Sequence, residues 1–221
     1  MSEKTTIALS CGAKLFTPSA LNRLREMGSL VIRESDKEPT PEQVAQLAHD
    51  ADILITSWGS PNLDEALMAQ LPRLRFVAHA AGSVKPIVSD AMWGRGVRVI
   101  NSAKVLGMGV AETALGLTIS GVKNFFNVSK SLADGGWHEA YDDIREMFEL
   151  KIGVIGGGMA GSHYMELLQM FDVEILLNDP FISAEDAQKR FNAKKVELDE
   201  LLRTADVVSI HAPSIPETYH M

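Results

Sequence analysis

Residues 151–161, KIGVIGGGMAG, constrain this chain more than any other stretch. An apolar run at 152–155 leads directly into Gly156, Gly158 and Gly161, at G-x-G-x-x-G spacing, and a second apolar run at 173–177 closes on Asp179. In that context the pattern is strand, tight turn, helix, strand. Gly156 permits the sharp turn, Gly158 leaves no Cβ where a pyrophosphate would approach the backbone, and Gly161 lets the helix pack closely on the strand. The helix N-terminus offers unpaired N–H groups and a partial positive charge to phosphates. A carboxylate about 20 residues on accepts hydrogen bonds from ribose hydroxyls, and its charge favours NAD over a 2′-phosphorylated dinucleotide. These residues therefore describe a dinucleotide-binding βαβ unit.

The chain before this unit alternates short apolar segments with amphipathic ones. Residues 5–9, 30–32, 52–57, 74–78 and 97–100 read as strands of a parallel sheet covered on both faces. Thr17 before Pro18, Thr40 with Pro41 and Gln43, and Asn62 with Glu65 read as helix starts. This rhythm predicts an open, doubly wound domain whose ligand lies at the carboxyl ends of its strands. Two loops fall there, at Trp58, Gly59, Ser60, Pro61 and at Ala80, Ala81, Gly82, Ser83. Small residues at such a loop expose backbone N–H groups, which suits a carboxylate nest and equally suits a plain strand-to-helix turn.

Residues 109–132 predict a long apolar helix linking this domain to the next, broken at 133–137. His138 and Glu139 with Asp142 and Asp143 have no metal-ligand spacing and read as a solvated face, so no metal is expected. Beyond Asp179, Ser183 with Asp186 caps a helix, 193–196 is a short strand, 198–203 a short helix, and 205–213 an apolar strand. Ser214 with Glu217 reads as a further capping box. A chain stopping at Met221 would leave 207–210 as an unprotected apolar edge, so a shortened domain is expected.

Composition excludes several classes. A net charge of −8 provides no basic face for nucleic acid. The single cysteine, Cys11, allows no intrachain disulfide or zinc pair, fits a reducing compartment, and follows an apolar strand as a bystander rather than a nucleophile. No leader is evident and no apolar run is read as membrane-spanning, so a cytoplasmic location without membrane contact is expected.

These segments together resemble the NAD-dependent D-isomer specific 2-hydroxyacid dehydrogenases. The residues that carry the resemblance are Ala51 to Ile55, Leu71 to Phe76, Gly109 to Glu112, Gly153 to Gly158, Asn178 to Phe181, and above all Val208 to Pro213 and Pro216 to Met221. The resemblance implies an α/β fold of two doubly wound domains. The first is a flavodoxin-like substrate domain at 1–108, and the second an interdomain helix plus an incomplete Rossmann domain at 109–221. It implies NAD as cofactor and a small 2-oxo or 2-hydroxy acid as substrate. It also implies a homodimer in the full-length form, paired through the cofactor domain and the region 125–141. Gly156, Gly158, Met159, Ala160 and Gly161 would lie under the pyrophosphate, Asp179 at the ribose, and His211, Ala212 and Pro213 along the cofactor. Ala81, Gly82 and Ser83 would hold the substrate carboxylate.

Departures from the family pattern are specific. Met159 and Ala160 stand where Arg-Ile is frequent, 103–106 replace a P-G-x-N hinge, and Ser83, Val84, Lys85 replace G-V-D. The catalytic Arg, Glu and His that the resemblance calls for would lie beyond Met221. No catalytic residue is therefore assigned within the chain, and the 221 residues alone are expected to be inactive. The competing expectations are a non-catalytic dinucleotide-binding module, or a subunit completed by another chain. An S-adenosylmethionine enzyme would leave the 109–112 and 211–213 segments unexplained.

Overall fold

The computed structural model describes residues 4–137 and 141–221 and divides into two compact units, Met1–Ala103 and Lys104–Met221. In the first, β1 (Thr6–Leu9), β2 (Ser29–Ile32), β3 (Ile53–Thr56), β4 (Phe76–His79) and β5 (Arg98–Asn101) form one parallel sheet in the order β2-β1-β3-β4-β5. That is the flavodoxin-like order. Alternation along the strands supplies both faces. Ala8, Leu54 and Val77 pack against α2 (Pro41–Ala48), α3 (Glu65–Ala69) and α4 (Asp90–Gly94), while Ile7, Leu9 and Ile55 pack with Leu21 and Leu24 of α1 (Pro18–Met27). Each fully buried Leu or Ile contributes about 1.5–3 kcal/mol over its exposed state.

Helix starts follow local chemistry. The Thr17 hydroxyl accepts from the Ala20 N–H at 3.2 Å, and Thr40 and Gln43 form a reciprocal capping box. The third start differs from the Asn62–Glu65 expectation. Asp64 caps α3 by accepting from the Leu67 N–H at 2.9 Å, whereas the Asn62 amide donates to the Pro86 and Val88 carbonyls. A carboxylate three residues ahead of a free N–H is the better acceptor, which leaves Asn62 for the neighbouring loop.

The second unit contains α5 (Ala103–Val122), α6 (Phe125–Ala133), β6 (Lys151–Ile155), α7 (Met159–Leu168), β7 (Glu174–Asn178), α8 (Ala184–Phe191), β8 (Ala193–Lys195), α9 (Leu198–Thr204) and β9 (Val207–Ile210). Its parallel sheet runs β8-β7-β6-β9, with β9 beside β6. The helix expected at 109–132 begins at Ala103 instead and breaks at Asn124, whose φ of 50° is left-handed. At 20 residues α5 is also long and apolar enough, by length and composition, to cross a membrane, contrary to the sequence reading. Side chains fix it to α7. Ala111 is buried, and the Thr118 and Tyr164 hydroxyls pair at 2.6 Å. Near Met221 the expected Ser214 cap is absent. A three-residue 3₁₀ turn, Pro216–Thr218, is held by the Thr218 hydroxyl, which accepts from the Ile215 N–H.

Both sheets are closed by the same device. Asp52, just before β3, exchanges two bonds with Thr6: its N–H donates to the Thr6 carbonyl, and its carboxylate accepts from the Thr6 N–H at 2.9 Å. Asp206, just before β9, does the same with Lys151, at 2.8 Å. Each therefore fixes the first strand of its sheet to its next neighbour in the parallel order. Asp52 also lies 3.4 Å from Arg73 and 3.2 Å from Arg75, and Asp206 lies 2.9 Å from Arg145.

The hydrogen bond from the Thr6 N–H holds the Asp52 carboxyl below its ordinary value of 3.8, and the Lys151 N–H does likewise for Asp206. Asp52→Ala should cost about 1.5–3 kcal/mol in urea unfolding, the range for bonds to a charged group. Because the folded pKa values are the lower ones, this stabilisation is complete above the unfolded-chain values and falls away as pH drops through the folded ones. The difference between wild type and variant should accordingly shrink below about pH 4. A difference that persists undiminished in acid would remove the carboxylates from this role.

Candidate cofactor and carboxylate sites

The turn leaving β6 is shaped by what a Cβ would strike. Gly156 sits at φ +90°, and a Cβ there would lie 2.7 Å from the Ala212 nitrogen and 2.9 Å from the His211 carbonyl carbon. A Cβ at Gly161 would lie 2.0 Å from the Gly156 carbonyl oxygen. Gly158 differs: it is exposed, and a Cβ there would meet no atom within 4 Å. Gly158 is also the N-cap of α7 and no side chain caps that helix, so the first-turn N–H groups, including those of Met159, Ala160 and Gly161, lack intrahelical acceptors. Open space in front of uncapped N–H groups at a helix N-terminus fits a dinucleotide pyrophosphate.

Asp179 is buried, and its carboxylate is heavily engaged. One oxygen accepts from the Gly157 N–H at 2.7 Å, and the other from the Phe181 and Ile182 N–H groups at 2.8 and 3.0 Å. It clamps the glycine turn to the loop after β7, a role the motif spacing does not reveal. A carboxylate offers about four acceptor positions, so capacity remains on the Gly157-bound oxygen for a ribose hydroxyl.

The segment after β9 completes the site. His211 donates its N–H to the Ile155 carbonyl at 2.7 Å, its Nε2 lies 2.9 Å from the Ser209 hydroxyl, and its ring is 5.3 Å from that of Tyr164. Burial lowers its pKa and favours the neutral ring. Gly156, Gly161, His211 and Ala212 thus meet directly, and Asp179 joins them through Gly157. Met159 and Pro213 are exposed at the edge, and Ala160 is half-buried. The Tyr164–Thr118 pair beneath the site went unread in the sequence, since its members lie 46 residues apart and neither belongs to a motif.

In the first unit, Ala81, Gly82 and Ser83 follow β4. The loop is held chiefly by its other groups: the Ala80 N–H donates to Thr56, the Ala80 carbonyl accepts from the Ser57 hydroxyl, and the Ala81 carbonyl accepts from the Ser102 N–H. The N–H groups of Ala81, Gly82 and Ser83 have no acceptor among the described residues. Ala81 is buried, Gly82 half-buried and Ser83 exposed, and consecutive unpaired donors of this kind suit an anion. Beneath them lies buried His79, its Nδ1 2.9 Å from the Thr56 hydroxyl, a residue to which the sequence assigns no role. Cys11 is buried and its thiol is pushed up to about 11 by burial, which suits a bystander. No group of three metal-ligating side chains occurs among the described residues, and His138 and Glu139 lie outside them.

Comparison with known proteins bears directly on this geometry. Residues 115–221 match the model of the D-isomer specific 2-hydroxyacid dehydrogenase NAD binding domain. Those residues belong to that domain family. The second unit is accordingly a nicotinamide dinucleotide-binding domain. Among relatives, a D-3-phosphoglycerate dehydrogenase of Methanocaldococcus jannaschii is 26% identical over 91% of this chain and 38% of its own length. A glyoxylate reductase of Korarchaeum cryptofilum is 26% identical over 91% of this chain and 61% of its own. This chain therefore spans less than two thirds of either relative. An acyclic imino acid reductase solved with NADPH and D-arginine superposes with a TM-score of 0.78 at 19% identity, covering 97% of this chain and 67% of that one. At that identity the likeness speaks for the fold.

Gly161 and Gly158 should respond differently to a methyl group. Gly161→Ala drives a Cβ into backbone, so the second unit should lose cooperative thermal unfolding or melt far lower. Gly158→Ala meets no protein atom and should melt near wild type, yet weaken NADH binding tenfold or more, on the order of 1.4 kcal/mol. Fluorescence titration with NADH beside calorimetry separates the two. Equal affinities for wild type and Gly158→Ala would move the pyrophosphate elsewhere.

Proposed function

We propose that the protein is an NAD-dependent oxidoreductase that interconverts a small 2-oxo acid and its D-2-hydroxy acid by hydride transfer. The observation that carries this reading is the uncapped, unobstructed N-terminus of α7 beside a buried Asp179, in a chain whose other unit presents three free N–H groups at 81–83. The names of the relatives, glyoxylate reductase and D-3-phosphoglycerate dehydrogenase, support the substrate class. When bound, the nicotinamide supplies or accepts the hydride.

The residues divide the remaining work. Gly158, Met159, Ala160 and Gly161 hold phosphate through N–H groups, and Asp179 accepts from the ribose. Its buried negative charge opposes a 2′-phosphate, which favours NADH over NADPH. His211, Ala212 and Pro213 border the cofactor. Ala81, Gly82 and Ser83 hold the substrate carboxylate and fix the carbonyl for attack. Reduction also requires a proton. Among the described residues, buried His79 and half-buried His211 are paired with Thr56 and Ser209, His49 and His163 pair with Asp50 and Glu166, and exposed His220 lies against the Tyr219 ring. We assign the proton donor to none of these, and expect residues 1–221 alone to bind NADH without turnover.

The protein is further proposed to work as a homodimer in the cytoplasm. Phe126 is 66% exposed, Leu117 59% and Phe125 54%, and Val105, Met108 and Val110 extend the apolar surface along α5. A second copy would cover this surface, and Phe126→Glu should shift the mass measured by light scattering to that of a monomer.

The reading is tested with the full-length protein, NADH or NADPH, and glyoxylate or hydroxypyruvate. NADH oxidation with formation of the D-hydroxy acid is expected, at higher kcat/KM than with NADPH. Tight NADH binding without turnover on any 2-oxo acid would favour a dinucleotide-binding module instead. Clear turnover by residues 1–221 would place the acid–base group within them.

A further inference from the structure

We propose that His79 is a positioning residue for the substrate carboxylate, bracing the 81–83 nest through the Thr56 hydroxyl. The inference rests on the assignment of that nest made above. It begins with an oddity of β4. The strand lies inside a sheet of Leu, Ile and Val, yet ends in a buried imidazole that is 4% exposed. A polar ring in such a position needs a partner, and it has one. Its Nδ1 lies 2.9 Å from Thr56 Oγ1, itself buried at the end of β3.

The neighbouring contacts run in the same direction. The Thr56 carbonyl accepts from the Ala80 N–H at 2.7 Å, and the Ser57 hydroxyl donates to the Ala80 carbonyl at 3.2 Å. Ser57 is held in turn, since its N–H donates to the Ser60 hydroxyl at 3.1 Å. The end of β3 therefore fixes the entry of the loop through backbone and serine. His79, the residue two before Ala81, ties its own strand end to the same Thr56 through the hydroxyl. A neutral imidazole has one donor and one acceptor nitrogen, and a hydroxyl can pair with either, so the bond holds in both tautomers. Phenylalanine would fill the space without holding the loop. Three N–H groups bind a carboxylate well only when their directions are fixed beforehand, and fixing them is the work of such a supporting contact.

Binding of oxamate, a 2-oxo acid analogue, to the full-length protein saturated with NADH provides the test, followed by calorimetry. His79→Phe and Thr56→Val should each weaken oxamate at least tenfold, the double variant should be little worse than either single one, and Thr56→Ser should restore wild-type affinity. NADH affinity, which belongs to the other unit, should stay within twofold in every variant that remains folded. In turnover the same changes should raise KM for the 2-oxo acid more than they lower kcat. Ser83→Pro, which deletes one N–H of the nest, separates the two levels of the inference. If it weakens oxamate while His79→Phe and Thr56→Val do not, the nest stands and the role of His79 falls. If Ser83→Pro has no effect, or the wild type binds no oxamate, the carboxylate assignment fails and this proposal fails with it. Additive effects of His79→Phe and Thr56→Val would likewise contradict a shared brace.

Discussion

Helix α7 approaches the turn leaving β6 so closely that one methyl group at Gly161 would stand 2.0 Å from the Gly156 carbonyl oxygen. The rest of the second unit depends on that approach. It draws the uncapped end of α7 over the sheet, so that N–H groups without helical partners collect where strand order reverses between β6 and β9. It also sets the height at which Asp179 can reach the Gly157 N–H and at which His211 and Ala212 lie against Gly156. A larger residue at either glycine would move the helix, and the donors with it.

In the first unit the loop after β4 is built without a glycine at positive φ. That loop is held mainly through carbonyls and side chains, and the N–H groups of 81–83 have no acceptor among the described residues. In both units the opposite end of the sheet is closed by an aspartate that takes the N–H of the first strand: Asp52 to Thr6 and Asp206 to Lys151. The segments Ala51, Asp52, Ile53, Leu54 and Ala205, Asp206, Val207, Val208 are similar because they perform the same closure.

Much of this was legible in the sequence because it is local. The strands are apolar runs, Thr17, Thr40 and Ser183 are caps three residues from their partners, and the glycine spacing states its own turn. What escaped the sequence is pairing across distance or competition between neighbours. Asn62 and Asp64 both suit a cap, and only the geometry gives the helix to Asp64. The start of α5 follows Asn101, whose side-chain oxygen accepts from the Ala103 N–H at 3.2 Å, a contact that the apolar run from 109 does not point to. Tyr164 with Thr118, and His79 with Thr56, read as ordinary core and strand residues until the fold joins them. Asp179 was found as a ribose ligand by its spacing, while its clamp on Gly157 needed the turn itself.

The central claim, that the turn at 156–161 with Asp179 and 211–213 is the nicotinamide dinucleotide site, is met most directly by amide hydrogen exchange with and without NADH. Protection is predicted at 157–161, at 181–182 and at 211–212, with the loop at 81–83 unchanged until a 2-oxo acid analogue is added. Protection that appears elsewhere in the chain while 157–161 exchanges at its free rate would contradict it.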